Sequence, residues 1–211
     1  MPRTVVCLSA SDGAAGEDIA PLVAGRLGVD IVDEEVIARA AAEAGVAAHV
    51  AAEVEQRRSL AARLLDPLAL AGLAAGTSGL TGLPAIDLDD LAPSADRLRA
   101  LIRGAIEEIA TEGNVVIVAH AASFALGARP GTLRVFVTAS PETRRRRVAS
   151  ARSVEDADAE RLMARGDRNR ADYIKRFYGV TEQPIHYDLV INTDTLTADE
   201  AADLIAQAAR E

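Results

Sequence analysis

Short apolar runs alternating with helical segments constrain this chain of 211 residues more than any other feature. Residues 4–8, 29–32, 115–118, 133–137 and 189–191 read as strands. The run Val115-Val116-Ile117-Val118 is continuous and β-branched, as a strand covered on both faces of a parallel sheet must be. Helical signals fill the gaps. Gly16–Leu27 carries Ile19, Leu22, Val23 and Leu27 on one face and is stopped by Gly28. Asp33 can cap a helix striped by Val36, Ile37, Ala40, Ala41 and Ala44, and residues 48–65 read as a further helix. Ser94 caps a segment whose Leu98, Leu101, Ile102, Ala105, Ile106 and Ile109 share a face. Ser140-Pro141-Glu142 opens another helix, residues 157–178 form a long polar one, and Thr197 to Glu200 is a capping box. A strand–helix unit repeated about five times predicts an α/β fold with a central parallel five-stranded sheet flanked by helices.

Composition narrows the function classes. Apolar residues make up 49% of the chain but aromatic ones only 3%, so the core must be built from Ala, Val, Leu and Ile. A net charge of −9 argues against nucleic acid as the main partner, while leaving room for a small anion in a local arginine cluster. The lone Cys7 sits in the first strand and reads as a small buried hydrophobe. No basic and apolar leader opens the chain, so a reduced, cytoplasmic setting is expected. Residues 67–86 are uncharged over the length of a bilayer span. Their glycines and prolines break the segment, so it is read as a loop or partner surface and no membrane association is expected.

Ligands of such sheets bind beyond the C-terminal strand ends. There the first strand runs into Ser11-Asp12-Gly13-Ala14-Ala15-Gly16-Glu17-Asp18, which opens a helix. Glycines that let amides turn toward an anion, followed by a helix N-terminus, form the frame of a phosphate-binding loop. The expected Gly-Lys-Ser/Thr is absent, with Glu17 and Asp18 in its place. A unit charge at 4 Å from another is worth about 4 kcal/mol at an effective dielectric of 20, so an inward Glu17 would remove most affinity for a polyphosphate. Turned outward, it would simply favour the helix start. Asp18 can serve either as a Mg²⁺ ligand or as a cap.

The second half resembles the cytidylate kinase-like P-loop nucleoside monophosphate kinases. The resemblance is carried by Val135-Phe136-Val137-Thr138-Ala139-Ser140-Pro141-Glu142, by Arg144 to Arg147, by Asp167-Arg168-Asn169-Arg170 and by Asp188-Leu189-Val190-Ile191-Asn192-Thr193. The order of the first half is similar too. The resemblance implies one three-layer kinase-like domain, with residues 1–44 and 94–211 as core, 45–93 as a helical acceptor-binding insert and about 152–180 as a lid. It implies Mg²⁺ and ATP, with a small-molecule nucleotide as partner. Gly13, Ala14, Ala15, Gly16, Glu17 and Asp18 would bind the nucleotide, and Asp18 the metal. Arg168 and Arg170 match lid positions that reach over a transferring phosphate. Arg144 and Arg147 lie one turn apart on the preceding helix and would join them, since a guanidinium pairs phosphate oxygens in a fork. Solvated surface ion pairs are the alternative for all four.

The acceptor side departs from the family. Ala119-His120-Ala121 stands where cytidylate kinases carry Gly-Arg-Asp. His120 and Asp33 are the candidate acceptor contacts; a structural His and a helix cap are the alternatives. Two functions stay open: phosphoryl transfer from ATP to CMP, dCMP or a related acceptor, or a catalytically impaired kinase fold acting as a regulatory or interaction module. A homodimer is compatible with the many Ala- and Leu-rich helices.

Overall fold

The computed structural model describes residues 4–33, 95–119 and 122–211. The elements are β1 (Val5–Ala10), α1 (Gly16–Leu27), β2 (Asp30–Val32), α2 (Ala95–Glu112), β3 (Val115–Ile117), α3 (Ala122–Leu126), β4 (Thr132–Thr138), α4 (Pro141–Arg152), α5 (Asp156–Tyr178), β5 (Leu189–Asn192) and α6 (Ala198–Arg210). The expected helix after Asp33, over 34–44, the run 48–65, the insert 45–93, the uncharged stretch 67–86 and His120 all lie outside the described residues.

The five strands are all parallel, in the order β2-β3-β1-β4-β5. β1 is therefore central, with Val5 opposite both Val115 and Thr132. Side chains alternate across a strand, and the core divides accordingly. Val6 and Leu8 pack with Ile19 and Val23 of α1 and with Ala202 and Ile205 of α6. Val5 and Cys7 pack on the opposite face with Ile102 and Ile106 of α2, with α3, and with Phe177 near the end of α5. Tyr173 and Tyr178 join Phe177 there, so the aromatic trio of the polar helix docks it to the body. Cys7 is fully buried, and burial pushes its thiol up to about 12, so it is an inert core residue.

Local signals set the ends. Gly28 adopts the left-handed conformation and its N–H returns to Ala24, closing α1. Ser140 accepts from the Thr143 N–H at 3.3 Å and Pro141 takes the first turn of α4. Thr197 and Glu200 exchange the hydrogen bonds of a capping box at α6. β1 runs two residues beyond the sequence expectation, because Ser9 and Ala10, though small, still pair with Phe136 and Val137.

The α1 and α6 layer gives a direct check. Ile205 is fully buried, whereas its neighbour Leu204 is 45% exposed. Ile205→Ala is expected to lower the unfolding free energy by about 2–5 kcal/mol, and Leu204→Ala by no more than about 0.5 kcal/mol. Urea denaturation of the two variants checks the assignment of faces.

Candidate functional site

β1 and α1 are joined by a turn at the C-terminal edge of the sheet's central strand. Gly13 (φ 76°) and Ala15 (φ 64°) both take the left-handed conformation, alternating with residues of negative φ. That alternation turns successive N–H groups to one side. For Ala15 it costs about 1 kcal/mol, strain of the kind that gathers at binding loops. Gly16 sits against Ala10: a Cβ on it would fall 2.3 Å from the Ala10 Cβ, so only glycine lets the helix start this close to the strand.

The backbone of the turn has two sides. Ser11 N–H donates to Val137 O and Ala14 N–H to Ser11 O, each at 3.0 Å, while Asp18 and Ile19 N–H donate to Ala15 O at 3.2 and 3.0 Å. The N–H groups of Gly13, Ala15, Gly16 and Glu17 have no partner among the described residues. These amides form an open cradle at the positive end of α1. The carbonyls face the opposite way and are all bound. Arg144 Nε donates to Asp12 O at 2.7 Å, Arg147 Nη1 to Gly13 O at 3.3 Å, and the Thr193 hydroxyl to Ala14 O at 3.1 Å.

The arginines that the sequence brings forward thus divide by place. Arg144 is buried and forks onto Asp167 of α5, with Nη2 to Oδ1 at 2.6 Å and Nη1 to Oδ2 at 3.1 Å. Arg147 binds the Thr193 hydroxyl at 2.9 Å and its carbonyl at 2.8 Å. Both share the loop-facing side of α4, as their spacing predicts, but they meet its carbonyls rather than the open amides. Arg170 is buried beneath the entry to the turn, stacked 5.0 Å over Phe136, with Nη1 3.5 Å from Ala10 O. Its other nitrogens donate to Glu182 at 2.7 Å and to the Tyr187 hydroxyl at 2.9 Å. Arg168 is exposed and has no hydrogen-bond or ion-pair partner among the described residues. Helical residues advance by about 100°, so Arg168 points away from the α5 face by which Gly166, Asp167 and Arg170 meet the loop region.

The acidic groups occupy the front. Glu17 and Asp18 are exposed in the first turn of α1, and Asp33 is exposed just after β2. Asp12 lies against α5, where a Cβ on Gly166 would fall 2.2 Å from Asp12 Oδ2. Among the described residues no group of three His, Cys, Asp or Glu side chains could hold a metal alone. Mg²⁺ usually binds through one or two carboxylates plus phosphate oxygens, a donor set that Asp18 and a docked polyphosphate fit. No helix of the described residues is long and apolar enough to cross a membrane.

Sequence reasoning missed Glu182, Tyr187 and Phe136 as the partners of Arg170, and Thr193 as a loop anchor. The one available signal was helical phase, since Asp167 and Arg170 share a face three residues apart. Burial raises and Arg170 lowers the Glu182 carboxyl; Arg170 prevails, leaving it below its ordinary 4.5. Burial likewise pushes the Tyr187 hydroxyl up.

Comparison with known proteins agrees with this architecture. The model of the cytidylate kinase-like family matches residues 5–195, and the chain belongs to that family. A crystal structure of an uncharacterized protein from Eubacterium ventriosum superposes with a TM-score of 0.66 at 14% identity, covering 97% of each chain. TT1252 from Thermus thermophilus gives a TM-score of 0.50 at 18% identity, covering 97% of this chain and 96% of its own. Shikimate kinase from Acinetobacter baumannii, in complex with shikimate, gives 0.49 at 13% identity, covering 99% and 92%. Among curated proteins no sequence matches.

The Arg170–Glu182 pair predicts a pH signature. A carboxylate with a lowered folded-state pKa contributes stability that is present above its unfolded value and lost as pH falls through the folded one. Glu182→Gln should lower stability at neutral pH and flatten its decline below about pH 5. Urea denaturation at a series of pH values reads both, and parallel curves for the two proteins would contradict the assignment.

Proposed function

We propose, from membership of the cytidylate kinase-like family, that this chain is a nucleotide-dependent phosphotransferase that moves a phosphoryl group from ATP to CMP, dCMP or a related small acceptor. The observation that supports this reading best is the open amide cradle of Gly13, Ala15, Gly16 and Glu17 at the start of α1. Phosphoryl transfer asks a protein for positioning and charge neutralisation rather than covalent chemistry. In this reading the four amides hold the phosphates, Asp18 supplies a carboxylate to Mg²⁺, and Asp33 and His120 contact the acceptor. Arg168 is the lid cation left to meet the transferring phosphate, which requires α5 to turn or swing on closing. Bound Mg²⁺ would screen the phosphate oxygens from the surrounding carboxylates.

A second reading, a catalytically impaired kinase fold with an interaction role, is favoured by one observation. Glu17 stands where the loop ordinarily carries a base, beside the cradle rather than behind it. Because Glu17 is exposed, the penalty follows the high-dielectric limit of about 1 kcal/mol per contact at 4 Å. Repulsion replacing attraction then costs about 2 kcal/mol, enough to weaken binding without abolishing it.

Thermal denaturation with Mg·ATP, Mg·CTP and CMP separates the readings. Ligand at a hundred times Kd adds about 2.7 kcal/mol and should raise Tm by about 5–10 °C. Glu17→Lys should tighten Mg·ATP binding about tenfold or more. ADP release in the presence of CMP or dCMP identifies the transferase. Binding without turnover, unchanged by Glu17→Lys, identifies the impaired form.

A further inference from the structure

A trans peptide holds its C=O and the following N–H antiparallel in one plane, and the described residues contain no cis bond. Whatever grips a carbonyl in the 11–15 turn therefore aims the next amide. Arg144 grips Asp12 O, and the N–H of the same plane belongs to Gly13. The Thr193 hydroxyl grips Ala14 O, and that plane carries the Ala15 N–H. Between them, Arg147 holds Gly13 O while the Ala14 N–H closes the turn on Ser11 O. Two of the four cradle amides are thus the far ends of peptide units clamped from behind.

We infer that Arg144, Thr193 and Arg147 are positioning residues for anion binding: Arg144 and Thr193 orient and polarise the Gly13 and Ala15 amides through the peptide planes, and Arg147 holds the Thr193 hydroxyl in place, none of them touching the ligand. This rests on the phosphate-cradle reading above. A hydrogen bond at a carbonyl strengthens the donor at the other end of the amide, because linked hydrogen bonds polarise one another. A guanidinium at that carbonyl adds positive charge. The loop, which lacks a lysine at position 17, receives positive charge from its carbonyl side instead. The clamps are themselves fixed. Arg144 is forked by Asp167, and Arg147 binds both polar groups of Thr193. The Thr193 N–H is tied to Thr138 O at 2.8 Å, and the neighbouring Asp194 carboxylate accepts the Ser140 N–H at 2.8 Å.

The test uses the full chain, inorganic tripolyphosphate with Mg²⁺ as probe, and the variants Thr193→Val, Thr193→Ser, Arg147→Met and Arg147→Lys. Calorimetry gives the affinity, and ¹H–¹⁵N spectra follow the Gly13 and Ala15 amides of the free protein. Thr193→Val and Arg147→Met should weaken tripolyphosphate about tenfold and shift or broaden the Gly13 and Ala15 signals while the remaining spectrum is kept. Thr193→Ser, which retains the hydroxyl, should restore both readings, and Arg147→Lys should restore them in part. Unchanged affinity and unchanged amide signals in a folded Thr193→Val protein would overturn the inference. If the wild-type chain binds no tripolyphosphate, the phosphate-cradle reading falls by itself. The amide signals then decide the clamp alone: moved in Val and restored in Ser, it stands; unmoved, it fails.

Discussion

The structure depends on the grip that Arg144 keeps on two partners at once. One edge of its guanidinium holds the Asp12 carbonyl and the other forks onto Asp167, so the turn after β1, the start of α4 and the middle of α5 meet at one buried cation. A buried guanidinium is costly unless it is paired and hydrogen-bonded, and here each of its three nitrogens has an acceptor. The partners are far apart in sequence: Arg144 lies 132 residues from Asp12, and Thr193 lies 179 residues from Ala14. The turn therefore cannot reach its open form as a local peptide. It acquires that form once β1, β4 and β5 are side by side, which makes the cradle a product of the assembled sheet.

The sheet was legible because its signals are local and redundant. Val115-Val116-Ile117 can hardly be other than a buried strand, Gly28 ends α1 through its left-handed backbone, and the Thr197–Glu200 box appears as its spacing predicts. The loop was legible as a frame for the same reason. Its side-chain logic was not. The partners of Arg144, Arg147 and Arg170 were not legible, because charge and spacing say nothing about which side of a loop an arginine approaches. Arg170 illustrates this: its partners Glu182 and Tyr187 lie 12 and 17 residues on, and its stacking on Phe136 depends on a strand pairing that no local pattern encodes. The left-handed Ala15 left no trace at all, since alanine is not a residue that announces positive φ.

The charges around the turn are reversed from those of a lysine-bearing loop. Acids stand on the amide side, with Glu17 and Asp18 exposed in the first turn of α1. Arginines stand on the carbonyl side, buried or half-buried. Each placement has a local reason. Acids at a helix start contribute about 0.3–1 kcal/mol through the dipole, and arginines at carbonyls stabilise a turn that would otherwise leave those groups unpaired.

Under the phosphate-cradle reading, this reversal bears on which ligand the site would favour. A lysine ammonium attracts a polyphosphate over several ångströms, whereas an amide is a dipole whose pull fades faster with distance and demands close, directed contact. The exposed acids meanwhile repel at longer range, more so at low ionic strength. A bare polyanion would therefore be opposed before the amides could act, and held more weakly. A phosphate already neutralised by a divalent cation arrives with less charge to repel, and keeps the oxygens that the amides need. Under the phosphate-cradle reading, the arrangement would favour the metal-bound form of the ligand through the order in which long-range and short-range forces act along the approach.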